Sequence, residues 1–417
     1  MVVKLIGMFA GFGVSVFLGR TLGPDGLGII NLANQIISIL LVFAFLGFSK
    51  VIVKEIAIAH NDNKQDRIKD VVFTAYLING AVSLLITLAL ILFADIIANN
   101  FFAMPRLKYP LIISSIVFLP QIISRILSSA LVGYKKIWQS NLVDQTLSMG
   151  VIGTLLFVMW LIKIEINVFN VAVVYAIGRL SVTLCIVLYW NFLNKDKEYE
   201  KTAKPKFIKT EMLTRGLPLL IVSASLLISS SADTLMLGWL SSSKEVGLYN
   251  IAAKLALLTS FFLQITVSTL GPKIAVLYEK NELKELGTLL QKVTGGLTFI
   301  GLGFLLIFVL FGKFILSFWG EDFITAYPIL VVLAIGQFFN ISSGPVGNIL
   351  VMTNNEKVIR NITAITVVLN LILNYFLIKV YGGFGAAVAT TITTILNMIL
   401  CYWYVRKSVG IKIIKYL

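Results

Sequence analysis

The sequence is poor in the residues from which disulfides, metal centres and histidine-based catalytic sites are built. Its 417 residues include two cysteines and one histidine. Cys185 and Cys401 both lie inside apolar segments, so neither a disulfide framework nor a thiolate metal cluster is expected. His60 lies in a charged loop, which argues against a zinc site or a histidine proton relay.

Charged residues are also scarce. They make up 13% of the chain and hydrophobic residues 58%, whereas soluble domains have about 25% charged and roughly 45 to 50% apolar residues. The excess of hydrophobic residues comes from repeated apolar stretches of about 20 residues, each long enough to cross about 30 Å of hydrocarbon. The composition therefore indicates a polytopic membrane protein.

Acidic residues are fewer than basic ones, which gives a formal net charge of +15. Because the chain has no basic soluble domain, we expect no nucleic-acid partner. Most of the 35 Lys and Arg residues fall at the termini and in the loops after the even-numbered apolar spans. By the positive-inside rule this predicts that both termini are cytoplasmic in a multi-pass protein of the cell inner (cytoplasmic) membrane.

The apolar pattern predicts twelve transmembrane spans and no cleavable signal peptide. The longest connections between the spans are expected to be partly helical interfacial segments. The predicted spans are 1–19, 28–48, 71–97, 110–133, 141–162, 169–193, 216–239, 248–270, 290–312, 326–352, 361–379 and 383–405.

A glycine-rich stretch, "GRTLGPDGLGIINLANQI" (19–36), joins the first two spans. It lacks the spacing of a nucleotide-binding loop and follows no strand-like run. Glycine and proline instead suit a tight turn between two helices that approach closely.

Two features of the first half recur in the second. Gly26-Leu27 follows an acid as Gly247-Leu248 does, and the segment around Lys136 resembles that around Lys357 at the same separation. The repeat predicts two six-helix halves of the same orientation. The expected domains are an N-terminal lobe (1–193), a cytoplasmic linker (194–215), a C-terminal lobe (216–405) and a basic cytoplasmic tail (406–417).

Several polar side chains lie within the predicted spans, where an unpaired charge costs about 2.5 to 3.5 kcal/mol. Arg125 and Lys254 are expected to face a hydrated cavity, and Arg179 either faces it or extends towards the membrane surface. Asn31 and Gln35 follow helical spacing; they line the same cavity or merely join helix to helix.

A second polar group occurs in the C-terminal half. Asp233 follows a serine run, Asn370 and Asn374 are four residues apart, and Thr390 and Thr394 share one helix face. These oxygen-bearing side chains suit Na⁺, or the acid alone could take a proton. The alternative is a salt bridge between Asp233 and a cation such as Lys254.

Catalytic pairs are not evident among the acids predicted outside the membrane, so we expect a carrier with no cofactor and not an enzyme. Those acids are Asp25, Asp95, Glu165, Glu245, Glu321 and Asp322.

Three stretches, in order and spacing, resemble the polysaccharide transporter family of Wzx-type flippases. They are the glycine-rich stretch above, "ADTLMLGWLSSSKEVGLYNIAAKLALL" and "NLILNYFLIKVYGGFGAAVATTITTIL". That family belongs to the multidrug/oligosaccharidyl-lipid/polysaccharide exporter superfamily. The resemblance implies an all-α integral membrane fold, with twelve helices in two pseudo-symmetric six-helix lobes around a central cavity.

The resemblance also implies a function and partners. The expected activity is export of a lipid-linked oligosaccharide, typically on undecaprenyl pyrophosphate in bacteria, by alternating access for surface polysaccharide biosynthesis. Membrane lipids, a polysaccharide polymerase and glycosyltransferases are the other expected partners.

Site residues follow from the same resemblance. Cations are expected to hold the diphosphate, since guanidinium suits bidentate phosphate contacts. The expected substrate-binding residues are Arg125, Lys254, Arg20, Lys54, Arg179, Gln35 and Asn31. Relatives of the lipid II flippase type imply a coupling site for Na⁺ or H⁺ at Asp233, Asn370, Asn374, Thr390 and Thr394.

Two other functions are compatible with a chain of this kind. A cation-coupled drug antiporter would be expected to favour an acidic, aromatic cavity, which the expected cationic cavity opposes. A polytopic glycan transferase would need a catalytic acid outside the membrane.

Overall fold

The computed structural model describes residues 2–194 and 205–411 and is built from α-helices. The chain divides into two compact units, Met1–Ser231 and Ala232–Leu417. The lobe boundaries given above, 1–193 and 216–405, stay predictions. Residues 195–204 of the predicted linker and 412–417 of the predicted tail lie outside the described residues.

The first unit is a bundle of helices joined by short connections, among them two π-helical segments (Ile96–Phe101 and Leu142–Thr146). Its α-helices are α1 (Val2–Phe45), α2 (Phe48–Asn61), α3 (Gln65–Asp95), α4 (Lys108–Ile116), α5 (Phe118–Gly133), α6 (Ile137–Asn141), α7 (Leu147–Leu161) and α8 (Val168–Leu193).

Helix α9 (Lys209–Leu240) begins in the first unit and ends in the second. The remaining helices of the second unit are α10 (Ser243–Ala256), α11 (Ser260–Glu279), α12 (Leu283–Ser317), α13 (Tyr327–Ser342), α14 (Val346–Met352) and α15 (Glu356–Ser408).

Within the described residues, seven helices are long and apolar enough to cross a membrane, or eight if α4 and α5 form one bent span. The protein is therefore a multi-pass, all-helical membrane protein. The figure of twelve spans stays a prediction.

The two longest helices each contain a break at a glycine. Helix α1 has 44 residues, about 66 Å at 1.5 Å per residue, which is about twice the hydrocarbon thickness. It is interrupted at Gly23, whose φ is 66° and which precedes Pro24, while α15 is interrupted at Gly382, with φ 55°. A residue with positive φ ends one helix, and the turn after it starts another. Both breaks fall between predicted spans.

Helices α4 and α5 meet at Val117 with a bend of 48°. Pro120 lies in the first turn of α5, so its missing N–H cannot bond to the carbonyl of Ile116 and its ring crowds that carbonyl. The predicted span 110–133 is therefore divided at Val117, three residues before Pro120.

The core of the first unit is built around α2, a helix within the connection that was expected to be interfacial. Phe48, Ile52 and Ile56 are each fully buried and pack in one cluster with Phe118 and Ile126 of α5. Because these residues recur every four positions, one face of α2 is entirely inside the unit. A corresponding cluster in the second unit joins α11, α12, α14 and both ends of α15.

Candidate functional site

The first unit contains a cavity of about 390 Å³ with a polar lining. Helix α5 contributes Arg125, Ser128 and Ser129 because residues spaced by three and four lie on one helix face. The full lining is Val42, Phe45, Gly47, Ser49, Val53, Arg125, Ser128, Ser129, Val132, Ser140, Asn141 and Ser223.

Hydroxyl groups are paired across the cavity wall. The Oγ atoms of Ser49 and Ser129 are 3.2 Å apart, and those of Ser128 and Ser140 are 2.7 Å apart. Hydroxyls donate and accept with equal ease, and a guanidinium donates in a planar fork. A wall of serines around Arg125 is therefore chemically suited to an anion rich in oxygen, such as a phosphate group.

Arg179 of α8 points into the first unit. Its Nη2 donates to the side-chain oxygen of Asn34 at 2.6 Å, and Nη1 is buried without a hydrogen-bond partner in the described part of the chain. The positive charge of Arg125 repels that of Arg179. The buried Nη1 argues against extension of Arg179 to the membrane surface. Arg179 does not line the cavity around Arg125, so its contact with substrate stays a prediction.

Other residues predicted to bind substrate occupy different positions. Gln35 donates to Ser231 of α9, Asn31 is half-buried, and Arg20 and Lys54 are exposed. None of these four lines the cavity around Arg125. Lys254 lies half-buried on α10 in the second unit. Their roles stay predictions, because side-chain burial alone does not assign a ligand.

In the second unit, Asp233 is surrounded by neutral donors from α10 and from both halves of α15. Tyr249 donates to Oδ2 at 2.5 Å, Thr390 donates to the same oxygen at 2.7 Å, and Asn374 donates to Oδ1 at 2.7 Å. Asn370 completes the cluster, since its side-chain oxygen accepts from Asn374 at 3.0 Å. Four of the five predicted residues are thus brought together.

In the described part of the chain, Thr393 belongs to this cluster in place of its neighbour Thr394, the fifth predicted residue. The amide of Asn370 donates to Oγ1 of both Thr390 and Thr393 at 3.3 Å. Sequence reasoning also missed Tyr249, because a tyrosine in an apolar helix gives no sign of which way its hydroxyl points. Its position directly after the repeated Gly-Leu pair was the available signal.

The cluster contains one acceptor that is not used. The side-chain oxygen of Asn374 is buried without a partner in the described structure, although its amide nitrogen donates twice. Such an orphaned oxygen beside a carboxylate and hydroxyls fits a hard cation. Among the described residues, no group of three or more His, Cys, Asp or Glu could hold a metal ion. Asp233 is the one carboxylate of the cluster described above.

Comparisons with known proteins identify the family of the chain. The family described as polysaccharide biosynthesis protein matches residues 1–278, and the MatE family matches residues 218–376. A probable low-salt glycan biosynthesis flippase of Haloferax volcanii, Agl15, is 28% identical over 181 residues, which are 43% of this chain and 38% of that protein. The chain therefore matches well under half the length of that relative.

An uncharacterised membrane protein of Methanocaldococcus jannaschii is 23% identical over 413 residues, covering 94% of this chain and 80% of the relative. Among solved structures, the lipid II flippase MurJ in an inward closed conformation superposes with a TM-score of 0.76 at 18% identity, over 97% of this chain and 86% of that one. An inward-facing multidrug resistance MATE family transporter gives 0.76 at 15% identity, over 98% of both chains. At these identities the likeness shows the fold.

Proposed function

Because the chain belongs to the polysaccharide biosynthesis protein family, we propose that it carries a lipid-linked oligosaccharide across the cytoplasmic membrane by alternating access. The match over residues 1–278 confirms the resemblance to a polysaccharide exporter that its motifs predicted. The proposed substrate carries its glycan on a polyprenyl pyrophosphate, which is undecaprenyl pyrophosphate in a bacterial host. The proposed role is transport for surface polysaccharide biosynthesis, with no catalytic step.

The serine-lined cavity around Arg125 supports this proposal. A pyrophosphate must leave water to cross the bilayer, so its charge needs compensation by fixed cations and hydrogen-bond donors. Arg125 and the cavity hydroxyls supply both. Arg179 would add a second guanidinium, and Lys254, Arg20 and Lys54 are the other cations proposed to contact the head group during its passage.

The cavity also lies on the side of the membrane from which the substrate would be expected to enter. Its lining comes from α2, which contains Lys54, and from α5 and α6, whose connection contains Lys135 and Lys136. The charge pattern predicts that this side is cytoplasmic. A glycan assembled in the cytoplasm would reach the carrier from that side. Membrane lipids surround the chain, and glycosyltransferases and a polymerase would act before and after it.

Asp233 and its neighbours are the proposed coupling site. A single carboxylate held by Tyr249, Asn374 and Thr390 can bind Na⁺ or a proton and release it when its surroundings change. Export would then draw on the Na⁺ or H⁺ gradient across the membrane.

Substitution of Arg125 and Lys254, one cation from each unit, tests the proposal. Arg125→Ala combined with Lys254→Ala is expected to abolish export of lipid-linked glycan, measured by the appearance of the glycan on the outer surface. Arg125→Lys should retain part of the export activity, since lysine keeps the positive charge but lacks the planar, bidentate donor geometry of a guanidinium. Lys64→Ala, which removes an exposed lysine paired with Asp62, is the matched control. Normal export by the double variant, with normal amounts in the membrane, would contradict the proposal.

A second candidate is a cation-coupled drug antiporter, which the match of residues 218–376 to the MatE family favours. Cationic drugs would be repelled by Arg125 and Arg179, so the cavity favours the anionic substrate. Drug resistance conferred by the chain, without loss of glycan export in its absence, would support this alternative. A transferase, the remaining alternative, would keep its activity in the Arg125→Ala and Lys254→Ala variant and lose it with one external acid.

A further inference from the structure

The start of α9 is joined to α2 and α3 by a closed ring of four charged residues. Arg67 of α3 bonds to Glu55 of α2 at 2.7 Å and also to Glu211 of α9. Arg215 of α9 bonds to Glu55 and, at 3.2 Å, to Glu211. Each carboxylate therefore contacts both guanidinium groups, and we call this arrangement the ion-pair ring.

The backbone before α9 is attached to the same surface. The amide N–H of Lys206 donates to Oδ1 of Asp70 at 2.6 Å, and that of Ile208 donates to Oγ1 of Thr74 at 3.1 Å. Met212 is 1% exposed and packs in the core around α2. The segment from Lys206 to the second turn of α9 is thus docked along α2 and α3.

The docked helix forms part of the cavity wall. Ser223 of α9 lines the cavity, as do Ser49 and Val53 of α2, which lie within two turns of Glu55 in the ring. Between these points the two backbones touch: a side chain at Gly47 would collide with the backbone of Gly216. The distance between α2 and α9 therefore decides how closed the cavity is on this side.

The ring is built so that water can replace its contacts. The side chains of Arg67, Glu211 and Arg215 are 27%, 34% and 48% exposed, whereas that of Glu55 is 10% exposed. A buried carboxylate is unfavourable unless it is paired, so Glu55 is stable either with both arginines in place or with the site open to water.

We propose that the ion-pair ring is a latch that holds the start of α9 against α2 and so closes the cavity beside Ser223. Opening the latch moves α9 away from the α1–α2 corner at Gly47 and exposes the serine wall. The cations of the ring stay solvated in the open state, and Glu55 becomes hydrated.

Accessibility of position 223 tests the latch in the full-length purified chain. Cys185→Ser and Cys401→Ala remove the native thiols, and Ser223→Cys introduces the probe site. The measurement is the rate at which a water-soluble maleimide modifies that cysteine. Glu55→Gln is expected to raise this rate about tenfold, which corresponds to ~1.4 kcal/mol in the opening equilibrium.

Two further measurements separate a latch from a general loss of structure. Lys64→Gln, which removes the exposed ion pair with Asp62, should leave the rate unchanged. Arg215→Gln replaces a half-exposed member of the ring and serves if Glu55→Gln does not fold. High salt should raise the rate of the chain with an intact ring, because it screens the ring charges, and should have little effect on Arg215→Gln.

Equal rates for the intact chain, Glu55→Gln and Arg215→Gln would overturn the proposal and leave the ring as a fixed brace. A salt effect of the same size in Arg215→Gln would do the same. The assay needs no glycan, so its outcome is independent of whether the chain moves a lipid-linked oligosaccharide.

Discussion

Asn374 donates its side-chain amide to Oδ1 of Asp233 at 2.7 Å and so joins the first half of α15 to α9. The hydrogen bond places a neutral donor, not a cation, against the carboxylate of Asp233 in α9. A carboxylate solvated by dipoles keeps its charge available to a mobile ion, whereas a salt bridge would neutralise it. This relationship favours the ion-site interpretation of Asp233 over a salt bridge with Lys254.

Replacing the carboxylate should remove coupling. Asp233→Asn keeps the size of the side chain and removes its charge, so we expect export to lose its dependence on a Na⁺ or H⁺ gradient. The measurement is transport into vesicles in which each gradient is imposed separately. Asp322→Asn, at an exposed acid, is the control. An unchanged gradient dependence in Asp233→Asn would reduce the residue to a structural role.

Two threonines on one predicted helix face should behave differently. Thr390→Val removes a hydrogen bond to the charged Asp233, and we expect roughly a tenfold weaker apparent affinity for the coupling ion, corresponding to ~1.5 kcal/mol. Thr394→Val should have little effect, since its hydroxyl is not among the donors to Asp233. The half-saturating ion concentration for transport measures both, and equal losses would show that the site extends to Thr394.

Arg179 should contribute to glycan transport while lowering the thermal stability of the folded protein. Arg179→Met fills similar space without a buried guanidinium whose Nη1 has no partner in the described chain, so the thermal unfolding temperature should rise or stay the same. Glycan export by the same variant should fall. Arg106→Met, which removes an exposed ion pair with Asp25, is the control for loss of positive charge. A lower unfolding temperature with normal export would indicate that Arg179 is structural.

The break in α15 should depend on Glu245. Its Oε2 accepts a hydrogen bond from the backbone N–H of Gly383 at 2.7 Å, where the second half of α15 begins. Glu245→Ala removes this cap, and we expect a loss of about 1 kcal/mol of unfolding free energy. Thermal unfolding in detergent, compared with Glu321→Ala at an exposed acid, is the measurement. No difference between the two variants would show that Gly382 alone maintains the break.

Much of the site was predictable because helical periodicity is local. Asn370 and Asn374 are one turn apart, so they share a face in any helix that contains both, and this holds before any tertiary contact forms. Arg125, Ser128 and Ser129 meet in the cavity for the same reason. The choice between Thr393 and Thr394 and the direction of the Tyr249 hydroxyl could not be predicted, because small rotations of α10 and α15 about their axes decide which hydroxyl reaches Asp233.

The sequence by itself determined that the chain is a helical membrane protein, that α1 and α15 break near Gly23 and Gly382, and which family it belongs to. Those properties depend on apolar run length, on glycine and proline geometry and on short motifs, all of which are local along the chain. Only the tertiary structure decided that α2 enters the core, that Arg179 reaches Asn34 and that Glu55, Arg67, Glu211 and Arg215 close into a ring. The physical reason is that such contacts join residues far apart in sequence, and their pairing is decided by how the helices pack.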